Sequence, residues 1–158
     1  MQKQTRIIYF LITTLFFIIF DVYFSNLILS NVENIPSNSF LELVFIQNTG
    51  AAFSILQNSR WFLILFSFFA IFWIIWNMIK NINRVSMLAI FWTALLISGI
   101  CCNLGERIFL GYVRDFFKLN FVNFPVFNIS DIFINLGVFA IVFIIIKYNC
   151  TKNNENNN

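Results

Sequence analysis

Asn103–Gly137 reads NLGERIFLGYVRDFFKLNFVNFPVFNISDIFINLG, and how this stretch is read decides the fold. Two carboxylates, Asp115 and Asp131, stand 16 residues apart in it. Asp115 lies between two hydrophobic runs, and Asp131 stands just inside the second of them. An ionisable group at the edge of a hydrocarbon region is costly, so it marks a functional site by default, with the other carboxylate as its candidate partner. Read plainly, Asp115 is a solvated loop charge and Asp131 a helix-start acid favoured by the macrodipole. Their spacing does not separate these alternatives; the rest of the chain does.

Outward from this stretch, 158 residues make a chain of single-domain size, 59% hydrophobic and 11% charged. Ordinary soluble proteins carry about a quarter charged residues. Four apolar runs, at about residues 7–29, 61–79, 85–104 and 129–146, each reach the roughly 20 helical residues that cross a bilayer. The fold class expected is an all-α polytopic membrane protein with four transmembrane helices in one domain over residues 1–148. Residues 149–158 form a polar, Asn-rich tail that reads as disordered. A net charge of +3 on scattered basic residues gives nucleic-acid binding no support. The chain has no histidine, which removes histidine-based triads and histidine-ligated metals. Cys101, Cys102 and Cys150 have neither metal-ligand spacing nor a disulfide framework, and Cys101–Cys102 read as small packing residues. No metal and no cofactor are expected.

In chain order, the first apolar run lacks a signal-peptide cleavage site and reads as a retained helix. Asp21 lies 14 residues after Ile7, about 21 Å along the axis at 1.5 Å per residue, and so nearer the far side of the membrane. Phe40–Ile46 (FLELVFI) suits a short strand by its β-branched and aromatic content. Such a strand makes a small β-containing segment outside the membrane, with an edge able to hold an extended peptide. Gln47–Ser54 follows, in which Gly50 and two alanines allow close backbone approach while Asn48 and Ser54 offer polar atoms; a turn with a small-residue packing step would read the same way. Residues 105–128 read as the loop that bears Asp115.

Lys3, Arg6, Lys80, Arg84, Lys147 and Lys152 share one side of the four-span topology, against Arg60, Arg107, Arg114 and Lys118 on the other. Six against four places both termini in the cytoplasm. Asp21, Asn48, Asn103, Glu106, Arg107, Asp115, Asn128 and Asp131 then converge on the outer boundary. Random loop polarity would not need Asp21 and Asp131 inside apolar runs, so the functional alternative leads. With no His, two carboxylates are the most economical catalytic pair: brought close they cannot both ionise easily, so one holds a proton while the other acts as base. That is the chemistry of aspartic peptide hydrolysis. A Ser–Lys pair is disfavoured, because neither Ser54 nor Ser130 has a lysine in a persuasive local motif.

These motifs give the chain its resemblance. It is similar to lipoprotein signal peptidase, the bacterial type II signal peptidase of the inner membrane, in its spans, length and motif order. The family's N-x-G-A-A-F pattern stands as Asn48-Thr-Gly-Ala-Ala-Phe53, and its G-N-L-I-D-R segment is similar to Cys102-Asn-Leu-Gly-Glu-Arg107. Its G-x-V-x-D-F stands as Gly111-Tyr-Val-Arg-Asp-Phe116, and its F-N-x-A-D as Phe127-Asn-Ile-Ser-Asp131. The resemblance implies that Asp115 and Asp131 are the catalytic dyad, and that Asn48, Gly50, Asn103, Arg107 and Asn128 shape the site, with Asp21 in support. It implies a diacylglyceryl prolipoprotein as substrate, cut before the lipid-bearing cysteine at the extracytoplasmic face, with membrane lipids around a monomer.

The chain departs from the family's usual residues. Ser25 stands where a lysine is usual, Glu106 where an aspartate is, Ser130 where an alanine is, and Cys101–Cys102 where Gly or Ala are. A non-enzymatic four-helix transporter subunit or scaffold is the competing class. A relay would tolerate a long gap between Asp115 and Asp131, whereas a water-activating dyad would not. Presenilin-like proteases carry their aspartates in Y-D and G-x-G-D contexts, which do not occur here.

Overall fold

A computed structural model describes residues 2–32, 36, 38–51 and 55–156, the last five of these by backbone alone. Ala52, Phe53 and Ser54, the end of the Gln47–Ser54 segment, lie outside the described residues. Four helices are long and apolar enough to cross a membrane: α1 (Lys3–Ser30), α2 (Arg60–Lys80), α3 (Met87–Phe109) and α4 (Ile129–Asn156). Between them stand two strands, β1 (Leu41–Asn48) and β2 (Val113–Leu119). The protein is a multi-pass membrane protein with a small antiparallel sheet at one end of the bundle.

α3 is the central helix. In its most apolar window 56% is buried, against 17% for α1 and α2 and 22% for α4, and all three pack against it. The α3–α4 contact is close because glycine lies on both sides. A Cβ on Gly99 would stand 2.5 Å from the Ser130 carbonyl oxygen, and one on Gly137 would stand 2.7 Å from Leu96 Cβ. In a bilayer, helices gain by packing rather than by escaping water, so backbones brought together by small residues are where the bundle holds. Two buried clusters follow. Phe10, Met78, Ile82, Ile90, Ala94 and Ile97 pack one end, where Arg6 also donates to the carbonyls of Ile82 and Val85. Leu95, Phe116, Ile129 and Phe133 pack the other, beneath the sheet.

The helix boundaries differ from those read by hydropathy. α3 continues five residues past Leu104, because Glu106 and Arg107 find partners outside the helix and Gly105 sits in open space. α4 runs to Asn156, so residues 149–156 continue the helix where the sequence suggests a disordered tail; no Gly or Pro follows Gly137 to stop it.

The segment bearing Asp115, read from the sequence as loop, is strand β2. It pairs with β1 from Leu41↔Leu119 to Asn48↔Val113, with an irregularity between Leu43 and Ile46. There Val44 and Phe45 oppose Phe116 alone, which is a β-bulge, a device that re-aims side chains beside a site. On its other edge β2 meets Phe127: Phe117 N donates to Phe127 O at 2.8 Å, and Phe127 N donates back at 3.1 Å. This pairing brings the segment before α4 alongside Asp115.

Candidate active site

Strand alternation puts neighbours 115 and 116 on opposite faces. Phe116 enters the apolar cluster, fully buried, and Asp115 turns to the other side, 2% exposed. Asp131 arrives on the first turn of α4. Asn128 caps that helix, its Oδ1 accepting from Asp131 N at 2.8 Å while Asp131 Oδ2 accepts from Asn128 N at 3.2 Å. This is a reciprocal capping box with aspartate as the acidic member, and it points a carboxylate back over the helix start.

Asn128 also joins the two aspartates. Its Nδ2 donates to Asp115 Oδ1 at 3.0 Å and to Asn103 Oδ1 at 3.1 Å, and Asn103 Nδ2 donates to Asp131 Oδ1 at 2.9 Å. Asn48 Nδ2 donates to the other oxygen of Asp115 at 2.8 Å, and Asn48 Oδ1 accepts from Gly50 N at 2.9 Å. Arg107 closes the ring, donating to the carbonyls of Asn103 (3.2 Å) and Gly50 (2.9 Å). Its buried Nε has no partner among the described residues, leaving a donor beside the carboxylates. Burial, and then the charge of Asp131, push the Asp115 carboxyl from 3.8 up to about 7; the Asn48 amide and Arg107 pull the other way. The pair therefore suits a single shared proton at neutral pH.

Asn48, Asn103, Arg107, Asp115 and Asp131 line one cavity of about 700 Å³. Its far wall is α4, whose Ile132, Leu136 and Phe139 line the cavity and are also exposed on the outside of the bundle, Phe139 by 72%. The cavity thus joins a polar centre to an apolar, exposed face of a spanning helix. Among the described residues no group of His, Cys, Asp or Glu could hold a metal ion.

Of the residues singled out in the sequence, Asn48, Asn103, Arg107, Asp115, Asn128 and Asp131 meet in this network, and Gly50 joins it through its backbone. Asp21 does not line the cavity; it is buried behind α4, bonded to Ser130 and Ser25. Arg114, marked in the sequence as an outer cation, and Asn26, which the sequence does not mark, complete the frame. Arg114 donates to both Glu106 oxygens, from N and Nε at 2.7 Å each, and to Asn26 Oδ1 at 2.9 Å, tying the start of β2 to α3 and α1. The only sequence signal for this clamp is a cation next to Asp115.

A family model described as signal peptidase (SPase) II matches residues 13–147. The chain belongs to the signal peptidase II family. A lipoprotein signal peptidase of Streptococcus agalactiae is 37% identical over 126 residues, covering 80% of this chain and 78% of that protein. One from Lactococcus lactis is 34% identical over 138 residues, covering 82% and 87%. Among solved structures, a bacterial membrane enzyme determined in meso at 2.3 Å shares the fold, with TM-score 0.78 and 24% identity over 90% of each chain.

Proposed function

We propose that this member of a protease family is an aspartic endopeptidase that removes the signal peptide from diacylglyceryl-modified prolipoproteins, with Asp115 and Asp131 as its dyad. The observation that carries this reading is the shared partner: two carboxyls from separate elements both bond to Asn128, within one cavity. That proximity favours a water-activating dyad over a relay with a long gap. Asp115, with its proton retained near neutral pH, donates to the carbonyl oxygen of the scissile peptide, while Asp131 takes a proton from the attacking water. The tetrahedral intermediate collapses as that proton passes to the leaving amine. Asn103, Asn128 and Asn48 hold the carboxyls in aim, and Arg107 brings a positive charge to the lining of the same cavity.

The site lies on the extracytoplasmic side, with both termini cytoplasmic. Supporting this, Lys3, Arg6, Lys80 and Arg84 share the end of the bundle opposite the dyad. All four outer cations are tied to outer partners: Arg60 and Arg107 to backbone carbonyls, Arg114 to Glu106, and Lys118 to Glu42 at 2.7 Å. The acyl chains of the substrate rest against the lipid-facing wall of α4, and the protein acts as a monomer. The test is cleavage of a diacylglyceryl prolipopeptide by purified protein in detergent. Asp115→Asn and Asp131→Asn should each lose at least the roughly 10²–10⁴-fold owed to general acid–base catalysis. Full cleavage by either variant at normal expression sinks the aspartic mechanism.

A further inference from the structure

Ser130 takes no part in the proposed chemistry and lies outside the cavity lining, yet it is the buried residue immediately before Asp131. Its Oγ donates to Asp21 Oδ2 at 2.6 Å, across 109 residues of sequence. Asp21 is 5% exposed and has no salt bridge among the described residues. Its other oxygen accepts a longer bond, 3.3 Å, from Ser25 one helical turn along α1. A carboxyl buried between helices without a cation must be satisfied by hydrogen-bond donors, and Ser130 supplies the shorter of the two.

The first turn of α4 is held from three directions. α3 holds it through the Asn103–Asp131 bond and through Gly99, pressed against the Ser130 carbonyl. β2 holds it through Asn128 and Asp115. The third hold, toward α1, is the Asp21–Ser130 bond. Elsewhere α1 meets α4 through rings, Phe17 and Phe20 against Phe133, and ring contacts can slide where a short hydrogen bond sets a direction.

We propose that Ser130 is a positioning residue: anchored on Asp21, it fixes the rotation of the first turn of α4 and so aims Asp131 across the cavity toward Asp115. This rests on the assignment of Asp131 to the dyad. The experiment compares kcat and KM of Ser130→Ala, Ser130→Thr and Ser25→Ala on a diacylglyceryl prolipopeptide, with melting in detergent and Asp131→Asn alongside. Ser130→Ala should lower kcat by roughly 10- to 100-fold, the cost of a small misplacement, at unchanged KM. Ser130→Thr keeps the hydroxyl and should restore kcat. Ser25→Ala deprives the same carboxyl of a donor but leaves α4 untouched, so its kcat should stay at the wild-type value. Wild-type kcat in Ser130→Ala, or an equal loss in Ser25→Ala, overturns the proposal. If Ser130→Ala does not fold, Asp21→Ala removes the other end of the bond and must show the same kcat loss at unchanged KM; wild-type kcat there also overturns it. Activity in Asp131→Asn defeats the dyad assignment, whereas an inactive Asp131→Asn beside a fully active Ser130→Ala defeats the positioning alone.

Discussion

Removing the Asn48 amide should move the alkaline limb of the pH–rate profile upward. Asn48 Nδ2 lies 2.8 Å from Asp115 Oδ2, the shorter of the two amide hydrogen bonds to that carboxyl, and pulls it down against burial and the charge of Asp131. A hydrogen bond to a charged group stabilises by about 1.5–3 kcal/mol and one between neutral groups by about 0.5–1.5 kcal/mol, so the ionised form is favoured by roughly 1 kcal/mol. At about 1.36 kcal/mol per pH unit, losing it raises the Asp115 pKa by a little under one unit. Asn48→Ser is the substitution of choice: serine keeps an oxygen that can accept from Gly50 N but is too short to reach Asp115. On the proposed mechanism the dyad works with one proton, so activity should fall as Asp115 loses it, near pH 7 in the wild type. In Asn48→Ser that fall should come near pH 8, by the shift just worked out. The assay is kcat/KM against pH on a fluorogenic diacylglyceryl prolipopeptide in detergent. A limb that stays in place or moves to lower pH refutes the role given to this hydrogen bond.

Asp115 should also leave a mark on stability. Its folded pKa stands above the ordinary 3.8, so the folded state holds the extra proton between about pH 4 and 7. The stability it contributes is complete below that window and is lost as pH rises through it; Asp115→Asn should flatten this slope in melting curves taken from pH 5 to 8. Gly99→Ala forces a Cβ to 2.5 Å from the Ser130 carbonyl and should cost about 1–3 kcal/mol of stability by overpacking, read as a lower melting temperature together with reduced cleavage. Asn128→Ala removes the helix cap and the bridge between the aspartates, and should lower stability by about 0.5–2 kcal/mol for the cap alone and abolish cleavage. Single cysteines at Asn38 and Lys152, in a background without Cys101, Cys102 and Cys150, should label from outside and from the cytoplasm respectively; labelling of position 38 only from the cytoplasm overturns the topology.

The four spans are legible in the sequence because lipid imposes one requirement on every residue of a run, and hydropathy registers it. Strand β1 is legible for a related reason, since Leu41–Ile46 is rich in β-branched and aromatic residues. β2 is not. In VRDFFKL the pair Phe116–Phe117 breaks the alternation, and Asp and Lys are poor strand formers; pairing with residues far away in sequence makes it a strand. The end of the third span misleads in the opposite direction: residues 105–109, read as the start of the loop, continue the helix. Individual polar residues of the network stand out because they interrupt apolar runs, but which of them touch is a property of the fold. Asp21 shows the difference: its burial is legible, while its partner Ser130 looks in the sequence like a harmless departure.

The lipid-facing wall of the cavity has a kinetic consequence. Ile132, Leu136 and Phe139 carry the cavity lining onto an apolar, exposed side of α4, so the acyl chains of the proposed diacylglyceryl substrate need never leave hydrocarbon. Extracting them would cost about 0.8 kcal/mol for each CH₂ group. Encounter then takes place in two dimensions, and the concentration that governs the rate is the number of substrate molecules per unit area of membrane. Added detergent or inert lipid should slow cleavage by dilution within the surface, at constant bulk substrate, in proportion to the fall in mole fraction.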